Sequence, residues 1–207
     1  MKIITISREF GSGGRELGKR LADAFGIPCY DQQIIELVAE KENLDATYVA
    51  NRTEKDLRVF YPTTIARGFT RPNYAMMQTA QIIASEQEII KKLASKGDCV
   101  IVGRAADIIL AEYKPFRIFV CADEASKISR CLARTKASEK LGEKEIIRKC
   151  REIDKRRAHY RRMFTEKKWG EASGYDLCIN TSEKEVKTLI PSILTYIKAW
   201  YSEDEAK

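Results

Sequence analysis

Residues 3–22, IITISREFGSGGRELGKRLA, pass from a β-branched apolar run through a glycine-rich turn into a pattern with helical spacing. No other stretch constrains the fold as much. A helix that follows a strand after so short a turn has to pack back over the sheet that holds the strand, so the chain is committed to α/β crossovers. The spacing predicts a strand over 2–7. The helix then turns Leu17, Leu21, Ala24 and Phe25 to one side, and Gly26 with Pro28 closes it.

The alternation continues along the chain. PCYD reads as a short strand or its end, and QQIIELVAEKEN as a helix; a further helix is expected over about 75–95, ended by the KGD turn. CVIVG (99–103) is a fully apolar strand and FRIFVCA (116–122) another, followed by a helix opening after Asp123. A long charged helix is expected over 143–162, then a last strand over 175–181 and a final helix that Pro191 kinks or divides. Apolar strands joined by long crossovers predict a parallel sheet covered on both faces. Ligands bind beyond the carboxyl ends of such strands, so Ser7–Arg15, Tyr30–Asp31 and Gly103–Arg104 should share one cleft.

Residues 44–75 have weaker periodicity, two prolines and arginines at 52, 58, 67 and 71. They read as short helices and a long loop, a candidate mobile insert. Arg58, Arg67 and Arg71 suit either an acceptor phosphate or plain loop solubility.

Charge separates the remaining possibilities. Of 37 Lys/Arg and 30 Asp/Glu, residues 148–168 hold ten basic and three acidic, so the whole excess of +7 sits in that one segment. Arg157 and Arg161, four apart, share a helix face with Asp154 three residues before Arg157. A solvated charged helix and a cationic lid are both consistent with this, while the thin aromatic interleaving counts against a nucleic-acid stripe. His159 is expected at the surface, and as the one histidine it excludes a histidine-based metal site. The six cysteines show no CxxC spacing and read as reduced, buried thiols of a cytoplasmic protein. The longest apolar runs are too short to span a membrane.

Glycines let a backbone wrap a phosphate so that N–H groups converge on it at a helix N-terminus. FGSGGRE supplies that turn, and Gly11, Ser12, Gly13 and Gly14 are the expected cradle. Against the pattern GxxxxGK(S/T), however, Arg8 stands at the first glycine, Gly13 at the second, Gly14 at the lysine and Arg15 at the hydroxyl. Arg15, with Arg8 or Arg104 beside it, is the candidate for the lysine's electrostatic work. Arg104 ends an apolar strand and must find an anion, either a ligand or a core carboxylate such as Asp107. Asp31 could hold a ligand or cap the following helix.

These residues in this order resemble the cytidylate kinase-like family, a branch of the P-loop nucleoside monophosphate kinases. ITISREFGSGGRELGKRLAD, CYDQQII, VIVGRAADIIL, RIFVCADEASKISRCLAR, IDKRRAHYRRMF and YDLCINTS carry the resemblance over about residues 1–195. It implies a single domain with a P-loop NTPase-like, three-layer α/β/α fold. Its core would span 1–40 and 75–207, with a helical monophosphate-binding insert over 41–74 and an arginine-rich lid over about 135–170. It also implies phosphoryl transfer from ATP, with Mg2+, to a nucleoside monophosphate such as CMP or dCMP. Carried over by position, Gly11 to Gly14 wrap the donor phosphates with Arg15 as the nearest cation. Asp31 and Arg104 face the acceptor, and Arg157 and Arg161 reach in from the lid. The replaced lysine and hydroxyl keep two rivals open: a non-catalytic nucleotide-binding or regulatory protein, and a kinase of another small metabolite. An RNA-binding module using 148–168 is a third. Oligomeric state is not readable from the sequence.

Overall fold

The computed structural model describes residues 1–54, 74–134 and 142–205. Its first strand, β1 (Ile3–Arg8), carries on to Arg8, so this arginine closes the strand instead of opening the loop. A tight turn leads into α1 (Gly14–Phe25), then β2 (Cys29–Tyr30), α2 (Gln32–Glu42) and α3 (Ala46–Glu54). α4 (Tyr74–Ala94), β3 (Cys99–Val102), the single turn α5 (Ala106–Ile109) and β4 (Phe116–Cys121) follow. α6 (Glu124–Arg134), α7 (Glu143–Arg162), β5 (Leu177–Asn180) and α8 (Val186–Glu205) complete the order.

The sheet has the order β2-β3-β1-β4-β5 and every pairing is parallel. β1 is central, with Ile4 opposite Val100 on one side and Phe116 on the other. Successive side chains point to opposite faces. Ile4 and Ile6 join Val100, Val102, Ile118 and Val120 against α1 and α8, while Ile3, Cys99 and Ile101 meet α2 and α4. Both faces are therefore covered by helices, which is why these strands read as unbroken apolar runs. Full burial of each aliphatic side chain is worth roughly 1.5–3 kcal/mol.

Local choices follow from the residues. Asp123 opens α6 by accepting the Ser126 N–H at 2.7 Å, an N-cap. In α1 Leu17 and Leu21 are buried as expected, with Gly18 and Ala22 beside them and Phe25 packed against the same core, whereas Ala24 is exposed. α8 runs across Pro191 as one helix, so of the expected kink or division the division does not occur. Of the cysteines only Cys99 and Cys150 are buried, and Cys178 is exposed. His159 is half-buried rather than a surface residue. Within the expected insert and lid, α3 and α7 are described; Arg58, Arg67, Arg71 and residues 135–141 lie outside the described residues. Among the described residues no helix is long and apolar enough to cross a membrane.

Candidate functional site

The carboxyl end of β1 opens between its two neighbours, so the turn that follows lies at the centre of the sheet's upper edge. Gly11 and Gly13 take positive φ there, 77° and 81°. Gly13 is the residue before α1 and offers no side-chain cap, leaving the first-turn N–H groups of that helix to an outside acceptor. The turn itself is held rigidly from below. The buried Ser12 hydroxyl donates to the Glu9 carbonyl at 2.8 Å, and the Thr181 hydroxyl donates to the Ser12 carbonyl at 2.7 Å. The Glu9 carboxylate accepts the Ala122 N–H at 3.1 Å and pairs with Lys127 at 2.7 Å. Arg130 reaches the Gly11 carbonyl at 3.4 Å and the Thr181 carbonyl at 2.5 Å. With the Ser12 side chain facing inward, what the turn presents outward is backbone.

Beside this turn, a cavity of about 490 Å³ opens between the ends of β1 and β3 and the inner side of α7. Arg8, Arg104, Arg157 and Arg161, four of the predicted site residues, all line it. Arg148 and Arg156 add further cations, and Phe10, Tyr160 and Trp169 supply aromatic wall. Among the described residues its lining carboxylates are Glu145 and Glu152, which pair with Arg148 and Arg156 respectively.

Each arginine is seated differently. Arg104 pairs with Glu86 at 3.1 Å and donates to Thr53 at 2.9 Å. Its core carboxylate is thus Glu86, while Asp107 belongs to Arg161. Gly103, Arg104 and Ala105 carry positive φ in succession, a strained corner of the kind that accumulates at functional sites. Arg161 is buried against Asp107, with its guanidinium over the Tyr175 ring at 5.1 Å. Its Nε–H has no partner among the described residues. The buried Tyr160 hydroxyl donates to Glu86, and desolvation holds the phenol well above its usual range.

Arg157 ties α7 to the end of β1, donating to the Arg8 carbonyl at 3.0 Å and lying over the Phe10 ring. Asp154 completes the seam by accepting the Phe10 N–H at 2.7 Å. Burial pushes the Asp154 carboxyl up to about 6, against the opposing pull of the Phe10 N–H, Arg157 and Lys127.

Arg15 and Asp31 are placed elsewhere. Arg15 pairs with Asp31 at 2.6 Å and donates to Gln32 at 2.9 Å, on the β2 side of α1 and outside the lining of the large cavity. Asp31 makes no side-chain cap to α2. A second cavity of about 380 Å³ is bounded by α1, α6 and the turn after β5, with Arg20, Arg130 and Arg134 in its wall. Sequence reasoning missed Glu9, Lys127, Arg130 and Thr181. The spacing of Lys127 and Arg130, one turn apart on α6, was the available signal.

Comparison with solved structures agrees with this architecture. An uncharacterized protein from Eubacterium ventriosum is 28% identical, covering 96% of this chain and 99% of its own, with a TM-score of 0.69. The shikimate kinase of Bacteroides thetaiotaomicron is 12% identical, with 95% and 98% covered and a TM-score of 0.57. That of Acinetobacter baumannii, in complex with shikimate, is 13% identical, with 96% and 94% covered and a TM-score of 0.54. At such identities the two kinases share the fold with this chain. No curated protein matches the sequence. The family model described as the cytidylate kinase-like family matches residues 3–183, and the chain belongs to that family.

Proposed function

We propose that this chain transfers the terminal phosphoryl group of ATP to a nucleoside monophosphate, with CMP or dCMP the expected acceptor. Membership of a kinase-like family supports phosphoryl transfer in general. The observation that carries the finer reading is the cavity at the ends of β1 and β3, walled by arginines and reached by Phe10 at the start of the glycine turn. A phosphate acceptor arrives already anionic, so its attack needs charge neutralisation and alignment more than it needs a base to remove a proton. Guanidinium groups of Arg104, Arg157 and Arg161 around one volume suit that demand. The α1 N–H groups, with Gly11, Ser12, Gly13 and Gly14 as the cradle, would hold the donor phosphates. α7, docked by Asp154 and Arg157, would keep water from the reacting groups.

Magnesium would reach the site on the phosphates of the nucleotide, where it neutralises charge. Among the described residues no group of three His, Cys, Asp or Glu could hold a metal ion, and Arg15 stands where a hydroxyl ligand belongs. Magnesium bound mainly to substrate phosphates and water fits such a site.

The test is ATP consumption with magnesium against CMP, dCMP, UMP, AMP, GMP and small hydroxylated metabolites. Turnover on one nucleoside monophosphate is expected. Turnover only on a hydroxylated metabolite would replace the acceptor class, and ATP binding without any turnover would favour a non-catalytic nucleotide-binding protein.

A further inference from the structure

Within the phosphoryl-transfer reading, on which this inference rests, we propose that Arg8 supplies the cation that a phosphate loop ordinarily takes from a lysine on the first turn of its helix. Two glycines record the substitution. A Cβ on Gly14, the lysine position, would lie 2.4 Å from Arg8 Cβ and 3.0 Å from its Cγ. A Cβ on Gly103 would lie 2.0 Å from Arg8 Nη1 and 2.8 Å from its Cζ. The aliphatic stem of Arg8 thus fills the space that a side chain at position 14 would need, and its guanidinium rests on the turn after β3. Because the nearest atom is the Cβ of Arg8, this backbone carries a side chain at position 14 or at position 8 but not at both, and here it is the arginine at 8 that is kept.

The seat of Arg8 suits the role. It is the last residue of the central strand, in register with Val120, and its carbonyl accepts Arg157 Nη1 at 3.0 Å. Its side chain runs between Gly14 and Gly103 and lines the large cavity beside Arg104, where a phosphoryl group would pass from donor to acceptor. Arg15, by contrast, has a side chain 59% exposed and is held by Asp31 at the edge strand. In the transfer, the bond from the terminal phosphorus to the bridging oxygen breaks and ADP keeps the electron pair. A bond from that phosphorus to an oxygen of the acceptor phosphate forms, and no proton has to move. Arg8 stays protonated throughout and spreads the charge of the moving phosphoryl oxygens.

Turnover of ATP by the unaltered chain is measured first, then that of Arg8→Met, Arg15→Ala, Arg8→Gly, Gly14→Lys and the exchange Arg8→Gly with Gly14→Lys, which rewrites the loop as GxxxxGK. Arg8→Met should lower kcat on the order of a hundredfold or more with little change in melting temperature. Gly14→Lys alone should be destabilised and inactive, whereas the exchange should recover at least about tenfold over Arg8→Gly. If the unaltered chain binds ATP without turnover, the ATP dissociation constant replaces kcat, and Arg8→Met should weaken it about tenfold or more. The proposal is overturned if folded Arg8→Met keeps wild-type turnover or affinity, if the large loss follows Arg15→Ala alone, or if the folded exchange does no better than Arg8→Gly. Absence of both ATP binding and turnover in the unaltered chain overturns the phosphoryl-transfer reading itself, and Arg8 with it.

Discussion

Arg161 and Asp107 meet in an ion pair that leaves each side chain only 3% exposed, and it fastens α7 to the single turn after β3. Two charges taken this far from water are stable only together. Asp107→Ala, which strands the guanidinium, should cost about 3–5 kcal/mol in urea unfolding. Asp107→Asn, which keeps a hydrogen-bond acceptor, should cost less. Equal losses would show that the charge of Asp107, and not its capacity to accept a hydrogen bond, holds the helix down.

Asp154 gives the protein a pH signature. An ordinary aspartate titrates near 4, roughly, and burial pushes this one up to about 6 in the folded chain. Between those values the folded state holds the proton more tightly than the unfolded chain, so stability falls as pH rises from about 4 to about 6. Above that range the penalty stays constant. Asp154→Asn removes it, and at pH 7.5 the variant should gain on the order of 1–2 kcal/mol after allowance for partial exposure, a gain that shrinks toward pH 4.5. Urea titrations of both proteins at the two pH values decide it: a gain that grows toward acid would contradict the assignment.

Gly103→Ala tests the seat of Arg8 from the other side. The residue sits at φ 81°, and the nearest atoms to an added methyl are the flexible tip of Arg8. Backbone strain should cost about 1–3 kcal/mol, while the guanidinium swings aside without collapse of the core. Turnover should then fall by a factor similar to that of Arg8→Met. A variant of lowered melting temperature and unchanged kcat would separate Gly103 from the chemistry.

Thr181 connects the last strand to the glycine turn through the Ser12 carbonyl. Thr181→Val keeps the shape but leaves that buried carbonyl without its donor, at about 1–3 kcal/mol. Because the turn is the expected phosphate cradle, KM for ATP should rise more than KM for the acceptor. Equal changes in both would point to a general loosening of the sheet.

Much of this is legible in the sequence itself. The periods of the strands and helices placed the sheet, and the arginines at 8, 104, 157 and 161 come together at one cavity because strand ends and one helix face were identifiable from spacing. The remainder depended on long-range choices that local pattern does not encode. Glycine at 14 looked like a missing cation because the Arg8 stem that fills its space begins six residues earlier and on a strand. Arg104 had Asp107 three residues away yet pairs with Glu86 on α4, since the left-handed turn at 103–105 aims its side chain across the sheet. Ala24 and Ala22 are equally apolar, and only the rotation of α1 on the sheet distinguishes them.

The glycine turn is made by the first fifteen residues, but almost everything that shapes it is translated much later. Arg8 rests on Gly103, Glu9 is held by Lys127, Phe10 by Asp154, and Ser12 by Thr181. Loop-closure entropy opposes each of these contacts until its distant partner exists. A nascent chain would therefore carry its most recognisable motif without being able to grip a nucleotide until Thr181 has been added. Truncation before Asn180 should leave the motif in the sequence and remove the cradle from the molecule.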